Sequence, residues 1–512
     1  MIPELEGRRI EAHLRFLSSD LLEGRGVGSR GGRIGEEYIR ATFAAAGLQP
    51  VPDLGFRQEV PMIGVVPVPE LRFTTSAGES FSPRYRDGFV LEAGVPEANV
   101  EVNAELVFVG YGITAPEYDW DDFAGVDVTG KLLLVRVNDP GTPSTPDFFQ
   151  GRALTYYGRW TYKFEEAARR GAAGVILIHT DASAGYAWPV VRNSNTGEQF
   201  GLAGVPEFPL GVRGWVTEAV GDQLLAASGE KPEVLIAASD RRGFRVRSLG
   251  VTVNATVRST IREVRTANVM AMIPGDDPGL VREPVIFMAH HDHLGRVETP
   301  EGPVIYPGAY DNASGVALLL AMAEAFMAGG VSIRRPFLFL ASTAEESGLL
   351  GSEWYTRHPA FPLGRTAAVL NVDGANLWGP TGDIAPLGVD RSSLGGLVRE
   401  AAGAEGLVVA PEQNVEQGMF FRQDHFPFAR AGVPAVAFDH GLSYLNRPEG
   451  WGQAQHDEYI SNAYHQPADA FREDFDYRGA VQQGRIIMRV AVSVSNGKDL
   501  PDWCAGSEFQ RR

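Results

Sequence analysis

The chain has 512 residues, a length that corresponds to about two to four domains. Hydrophobic residues (44%) and charged residues (21%) occur in globular proportions, which excludes a largely disordered or coiled-coil chain. The net charge of -18 lacks the basic excess of nucleic-acid-binding proteins, so no nucleic-acid partner is predicted. The single cysteine, Cys504, excludes an intramolecular disulfide and a cysteine-rich metal site.

The N-terminal segment is predicted to be helical. Apolar residues recur at helical spacing from Leu14 to Leu22 and again from Tyr38 to Ala46. The glycine- and arginine-rich loop between them, residues 23–32, has the composition of a phosphate-binding loop, but a solvent-exposed loop is the simpler interpretation.

No targeting or membrane segment is predicted. The N-terminus does not show a basic region followed by an apolar stretch. No window approaches about 18 uncharged apolar residues, the length of a membrane span. Two locations stay open: secreted or periplasmic if a signal peptide was removed, and cytoplasmic otherwise.

The middle of the chain is predicted to be rich in β-structure. Residues 51–100 have the pattern of short strands with turns, and residues 104–240 that of a separate module inserted into the main domain. Within the module an amphipathic segment, residues 163–170, leads into a buried strand that ends at His179. This histidine is interpreted as structural.

From about Asn268 onward, strands and helices alternate. The predicted strands are Asn268–Ile273, Val285–Ala289, Phe337–Ala341, Ala367–Val372 and Ala435–Phe438. The predicted helices include Ser314–Met327 and Leu394–Ala402. Continuous apolar strands alternating with helices are typical of an α/β fold with a mostly parallel sheet that is covered on both faces.

Polar residues that bind metals follow these strands or precede a helix, at the edge where ligands bind in open α/β sheets. They are His290 with His291 and Asp292, Asp311, Glu345 with Glu346, Asp373, and His465 in a late loop. Taken singly, each has a structural interpretation: Asp311, for example, could cap the next helix with Asn312 and Ser314. Their occurrence in one α/β unit favours a metal site.

Two zinc ions that share a bridging carboxylate need five ligands, one histidine and one terminal carboxylate for each ion and one carboxylate for both. Five residues fit this count: His290, Asp311, Glu346, Asp373 and His465. Glu345, adjacent to one of them, is then available as a general base.

The sequence resembles the co-catalytic di-zinc aminopeptidases of the bacterial and yeast vacuolar type, in which a protease-associated domain is inserted into the peptidase domain. The similar segments run nearly from end to end. They are LSSDLLEGRGVGSRGG, FVGYGITAPEYDWDDFAGVDVTGKLLLVRVNDPG, MAHHDHLG, GAYDNASGVA, STAEESGLLGS, NVDGAN, RQDHFPFARAGVPA and YHQPAD.

The resemblance implies a zinc-exopeptidase-like α/β fold, with a mixed, mostly parallel central sheet flanked by helices. Residues 1–103 and 241–512 would form the peptidase domain, and residues 104–240 the inserted, β-rich protease-associated domain.

The resemblance also implies a role for each site residue. His290 and Asp373 would bind one zinc ion, Glu346 and His465 the other, and Asp311 both. Glu345 would be the catalytic base, Asp292 would orient His290, and Tyr464 would stabilise the tetrahedral intermediate. The role of Asp292 has a physical reason of its own, because metal-bound imidazoles usually donate their second N–H to a carboxylate or carbonyl.

The chain departs from the family where Gln423 replaces a common serine before Asp424 and His425. Four phenylalanines nearby either line an apolar pocket for a substrate side chain or belong to the hydrophobic core: Phe420, Phe421, Phe426 and Phe428. Five further histidines are expected not to bind metal directly: His291, His293, His425, His440 and His456.

The expected activity is hydrolysis of the N-terminal peptide bond of peptides with a free α-amine, through a hydroxide that bridges two zinc ions. Two alternatives stay open: a carboxypeptidase or N-acyl amidohydrolase on the same metal core, and an inert, receptor-like binding protein. Peptides are the expected partners, and the sequence makes no prediction of the oligomeric state.

Overall fold

The computed structural model describes residues 2–145, 147–204, 206–299, 302–505 and 507–511. The chain divides into two compact units. The first contains Met1–Pro61, Val264–Gln413 and Arg422–Arg512, and the second contains Met62–Glu263 and Asn414–Phe421.

The first unit is built on a mixed, mostly parallel sheet flanked by helices, which confirms the predicted fold class. Its strands, in spatial order, are Ala435–Ala437, Ala368–Asn371, Val285–His290, Phe337–Ser342 and the end of Arg247–Ile273. The first four are parallel and the last is antiparallel to its neighbour. The four parallel strands consist of buried residues, because both faces of the sheet are covered.

The helices of this unit include the two predicted after Asn268, Ser314–Met327 and Leu394–Ala402, with ends that differ by at most two residues. The helices are Gly7–Leu17, Arg30–Ala45, Gly315–Gly329, Leu350–Arg357, Leu394–Ala404, His425–Arg430, Trp451–Asn462 and Arg478–Asn496, with short 3-10 turns at Asp20–Arg25 and Leu363–Arg365. Small two-stranded sheets pair Gly295–Thr299 with Gly302–Tyr306 and Asp383–Ile384 with Val408–Val409. The segment Ala309–Gly329 is long and apolar enough to cross a membrane, but 78% of its most apolar window is buried inside the protein, as in a core helix.

The second unit has its own strands and its own hydrophobic core. Its strands are Arg247–Ile273 (through residues 247–258), Asn99–Phe108, Leu132–Arg136, Gly174–His179, Val212–Thr217 and Phe89–Ala93, in that order. Further strands are Arg57–Thr75, Ser80–Phe81, Thr114–Ala115, Trp120–Asp121 and Gln199–Leu202. The helices are Trp160–Arg169, Asp181–Ala184, Trp188–Ser194, Glu218–Ala226 and Pro232–Ser239, with 3-10 turns at Pro116–Tyr118, Tyr156–Gly158, Val415–Gln417 and Met419–Phe421.

The second unit extends beyond the predicted insert, residues 104–240, at both ends. Strand Phe89–Ala93 lies within it because it pairs with Val212–Thr217, and residues 247–258 lie within it because they pair with residues 99–108. The prediction of only short strands in residues 51–100 is wrong, since Arg57–Thr75 is one strand of 19 residues with alternating burial. The assignment of this unit as a protease-associated domain stays a prediction.

Candidate metal centre

The predicted metal ligands lie at the carboxyl edge of the first unit's sheet. His290 is the last residue of strand Val285–His290, and Asp373 follows the adjacent strand Ala368–Asn371. The parallel register pairs Met288 with Asn371 and so places His290 level with Asp373. Polar side chains at equivalent ends of parallel strands therefore face the same space.

Asp311 connects two imidazoles. His290 Nε2 lies 3.3 Å from Asp311 Oδ1 and 3.2 Å from Asp373 Oδ1. His465 Nε2 lies 3.3 Å from Asp311 Oδ2 and 3.0 Å from Glu346 Oε2. The structure thus brings all five predicted ligands together, with one oxygen of Asp311 directed to each histidine.

The donor set fits zinc. The two histidines direct ring nitrogens toward carboxylate oxygens, and both are buried, with 2% exposure for His290 and 7% for His465. One ligand atom from each of His290, Asp311 and Asp373 lies within 4.8 Å of the others, close enough to surround one ion. Imidazole nitrogen with carboxylate oxygen is a common ligand combination for zinc.

The charge around these ligands also favours bound cations. Three buried or partly buried carboxylates, those of Asp311, Glu346 and Asp373, meet here, and within the described ranges no Lys or Arg forms an ion pair with any of them. A concentration of buried negative charge is costly unless cations compensate it. Divalent ions would supply that compensation.

His293, a histidine expected not to bind metal directly, also lies in the cluster. Its Nδ1 lies 2.6 Å from Glu346 Oε1, and together with Asp311 and Glu346 it forms a second group of closely spaced ligand atoms. The two oxygens of Glu346 therefore face different histidines, Oε1 facing His293 and Oε2 facing His465.

Asp292 connects the first histidine to the predicted base. His290 Nδ1 lies 3.2 Å from the Asp292 carbonyl oxygen and 3.8 Å from its carboxylate, so the main chain makes the closer contact with the ring. The carboxylate instead accepts a hydrogen bond from the backbone N–H of Glu345, at 3.2 Å. Burial raises the pKa of Asp292 to about 7, although the charge of His290 acts in the opposite direction.

Glu345 lies next to Glu346 in the turn after strand Phe337–Ser342. Burial raises its pKa well above the ordinary value; the nearby His290 acts against this shift, and the charges of Asp373 and Glu346 add to it. The Asp292 carboxylate accepts the backbone N–H of Glu345 and so fixes the main chain from which the Glu345 side chain extends.

Tyr464 packs its ring on that of His465, with ring centroids 4.0 Å apart. Its hydroxyl accepts a hydrogen bond from Arg422, at 3.5 Å. Burial raises the pKa of Tyr464 to about 12, and the charges of His465 and Arg422 oppose that shift. The predicted site tyrosine is thus a neutral hydroxyl close to a cation.

Sequence analysis did not identify Asp469, which fixes the position of Asp311. Its Oδ1 accepts the backbone N–H of Tyr310 at 2.9 Å, and its Oδ2 accepts that of Asp311 at 3.0 Å. The signal was present, because Asp469 follows His465 by four residues in the segment YHQPAD. This carboxylate therefore joins the loops that carry two of the ligands.

Asn312 joins two further ligand loops. Its Oδ1 accepts the N–H of Gly315, as expected of a helix cap, and also that of Gly374 at 3.0 Å. Ser314 does not cap the helix but donates to the Tyr310 carbonyl. Gly374 has a φ of 94°, and a Cβ there would lie 2.6 Å from the Tyr310 ring, so a side chain after Asp373 would be strained.

Arg25 is 1% exposed, so the simpler interpretation of its loop as solvent-exposed is wrong. Its guanidinium donates to the carbonyl oxygens of Leu17, His291, Pro307 and Gly308. All of its bonds go to protein carbonyls, and it supports the segments beside the ligands.

The other predicted residues lie outside the ligand cluster. His291 contacts the carbonyl of Ala267 through Nε2, at 3.0 Å, and His440 contacts the hydroxyl of Tyr310, at 3.1 Å. His425 is buried and His456 lies on helix Trp451–Asn462. The four phenylalanines are all buried, as expected of core: Phe420, Phe421, Phe426 and Phe428.

Residues 268–491 match the model of Peptidase family M28. This range contains every ligand candidate and the predicted base, Glu345. The similarity of these residues to a peptidase family confirms the predicted enzyme class, a metallopeptidase and therefore a hydrolase.

A solved structure shows the same fold, and a second aligns over a similar share of both chains. An aminopeptidase from Aneurinibacillus sp. strain AM-1 has 21% sequence identity, a TM-score of 0.58, and coverage of 99% of this chain and 98% of that chain. BSAP, a zinc aminopeptidase from Bacillus subtilis, has 19% identity, a TM-score of 0.47, and coverage of 96% and 95%. A comparison with curated proteins finds no match.

Proposed function

We propose that the protein is a di-zinc aminopeptidase that hydrolyses the N-terminal peptide bond of peptides with a free α-amine. The observation that carries this proposal is that the two carboxylate oxygens of Asp311 face different histidines, Oδ1 facing His290 and Oδ2 facing His465. That arrangement is suited to a carboxylate bridging two ions. The name of the similar Aneurinibacillus structure, an aminopeptidase, supports the same activity.

His290 and Asp373 would hold one ion, Glu346 and His465 the other, with Asp311 shared. When bound, paired zinc ions polarise a carbonyl oxygen and lower the pKa of water toward about 7. His293 contacts Oε1 of Glu346, and Oε2 of the same carboxylate faces His465. Asp469 holds the backbone at Asp311.

In this proposal Glu345 is the general base. It takes a proton from the attacking water and returns it to the leaving amine, a transfer that typically contributes about 10²–10⁴-fold to the rate. Asp292 fixes the Glu345 backbone through its N–H. The hydroxyl of Tyr464, beside Arg422, donates a hydrogen bond to the oxyanion that forms on the scissile carbonyl.

The test compares leucine p-nitroanilide with its N-acetylated form, using zinc-loaded protein, chelated protein and protein reloaded with zinc. We expect cleavage of the free amine only, loss of that activity with chelator, and recovery with zinc. Cleavage of the blocked substrate alone would favour the amidohydrolase or carboxypeptidase alternative. Less than half an equivalent of bound zinc, with neither substrate cleaved, would favour the inert alternative.

A further inference from the structure

A second acidic residue, Asp439, continues the row formed by His290 and Asp373. Strand Ala435–Ala437 is parallel to Ala368–Asn371, with Asn371 opposite Ala437, and the N–H of Phe438 still donates to the Asn371 carbonyl at 2.9 Å. Asp439 follows directly and is thus level with Asp373, on the next strand of the sheet. Neighbouring strands lie about 4.8 Å apart, so these two carboxylates lie along one edge.

Gln423, the residue that departs from the family's serine, orients Asp439. Its Oε1 accepts a hydrogen bond from Asn371 Nδ2 at 3.3 Å, and its amide nitrogen donates to the Asp439 carboxylate. With 3% exposure Gln423 is fixed in place. A glutamine amide provides an acceptor on one side and a donor on the other, and both are used here.

Among the residues that the structure describes, no cationic side chain neutralises Asp439. Across the described ranges, no ion pair joins a Lys, Arg or His side chain to its carboxylate. Its electrostatic neighbours include Asp373 and Tyr310, the residue before the shared ligand Asp311. A partly buried carboxylate without a cation, next to a metal centre, is suited to receive one from a ligand.

The spacing between Asp373 and Asp439 fits the N-terminal residue of a peptide substrate. The α-nitrogen of an amino acid lies about 2.5 Å from its own carbonyl carbon. A charge-assisted hydrogen bond to a carboxylate adds about 2.8 Å. A scissile carbonyl at the level of Asp373 would therefore place its α-ammonium within reach of a carboxylate one strand away.

We propose that Asp439, oriented by Gln423, binds the α-ammonium group of the substrate's N-terminal residue. The inference rests on the proposed aminopeptidase activity and names the residue that makes the enzyme specific for free amines. Asp439 contacts the substrate, whereas Gln423 is a positioning residue. The ligands expected to bind Asp439 carry a primary ammonium group whose nitrogen is two bonds from a carbonyl carbon.

The test measures kcat and KM of Asp439→Asn on leucine p-nitroanilide, together with bound zinc. We expect KM to rise at least tenfold, with kcat within threefold and zinc content unchanged. The inhibition constant of leucinol should rise by a similar factor, whereas that of 4-methylpentanol, which lacks the amine, should stay constant. Asp439→Glu should recover part of the affinity.

Gln423→Met supplies a second variant with an intact carboxylate, and it should raise KM by a smaller factor without loss of zinc. Asp383→Asn is the matched control, because the Asp383 carboxylate accepts hydrogen bonds from the backbone N–H and the hydroxyl of Ser443, four residues after Asp439. It should leave KM within twofold of the wild type.

Unchanged KM and leucinol inhibition in Asp439→Asn would overturn the inference, as would loss of zinc. An effect confined to lysine p-nitroanilide would overturn it too, since Asp439 would then bind a basic side chain. If the wild type cleaves leucine p-nitroanilide, these outcomes leave the proposed function intact. If the wild type cleaves only blocked substrates, the proposed function is wrong and the inference is wrong with it.

Discussion

The Nε of Arg25 donates a hydrogen bond to the carbonyl oxygen of His291, 2.9 Å away and 266 positions later in the chain. His291 lies between His290 and Asp292, so this bond fixes the backbone at the first predicted ligand. Burial lowers the pKa of Arg25 to about 10, and the charges of Asp469, Asp292, Asp311 and Glu346 limit that shift. The arginine thus acts as a structural cation behind an acidic centre.

Replacing Arg25 by methionine should lower the free energy of unfolding by about 3–5 kcal/mol, because four carbonyl oxygens lose their buried donor and the acidic cluster loses a compensating charge. Urea unfolding of the zinc-free protein measures the change. Arg30→Met removes an exposed arginine a few residues away and should change stability by less than about 0.5 kcal/mol. Identical unfolding curves for the two variants would contradict the structural role.

Glu345→Gln should reduce kcat by about 10²–10⁴-fold, because the amide cannot accept the proton of the attacking water. Bound zinc, measured by atomic absorption, should stay at the wild-type amount, since this side chain is not among the proposed ligands. The adjacent variant Glu346→Gln is the comparison and should lose zinc. Near-normal turnover in Glu345→Gln would remove this residue from the mechanism.

Asp469→Asn should weaken zinc binding by about 10–100-fold, the usual effect of losing a group that orients a ligand. The reason is geometric: the carboxylate accepts two backbone N–H groups, at Tyr310 and Asp311, and an amide can accept only one of them without opposing the other. Competition with a fluorescent chelator measures the affinity.

Asp474→Asn is the matched control for that experiment, since Asp474 lies nearby in sequence and pairs with exposed Arg472. Its zinc affinity should equal that of the wild type. Equal affinities for all three proteins would show that Asp469 does not position Asp311.

His293 and His465 both face Glu346, and their variants should differ in kind. His465→Ala removes a proposed ligand and should leave about one zinc ion per chain. His293→Ala removes the contact to Glu346 Oε1 and should retain two zinc ions. The affinity for the more weakly bound ion should fall by about 10–100-fold. Zinc titration separates the two variants, and loss of a full equivalent in His293→Ala would make His293 a ligand.

The convergence of the proposed ligands could be predicted from the sequence because four of them, all but His465, follow an apolar strand or begin a helix, and parallel strands end at one edge. His293 was named as a histidine that does not bind metal directly, but its contact with Glu346 was not predicted. Its position, three residues after His290, does not reveal that the chain turns back toward Glu346. Asp469 was missed although it lies four residues after His465, because its position in the sequence does not show that it accepts the backbone N–H groups of Tyr310 and Asp311.

The unit boundaries were hard to predict for a different reason. Strand Arg247–Ile273 has 27 residues, and its two ends pair with different partners: residues 247–258 with residues 99–108, and residues 269–273 with residues 337–341. Nothing in its local pattern marks the change of partner, so composition alone placed the boundary near residue 240. Arg25 was misjudged similarly, because its partners are carbonyl groups far along the chain.

Anomalous diffraction at the zinc edge, from crystals grown with excess zinc, tests the central claim most directly. We expect two strong peaks per chain about 3.5–4 Å apart, with the carboxylate of Asp311 between them, His290 on one and His465 on the other. A single peak, or imidazoles at positions 290 and 465 that contact no ion, would contradict the shared-carboxylate centre.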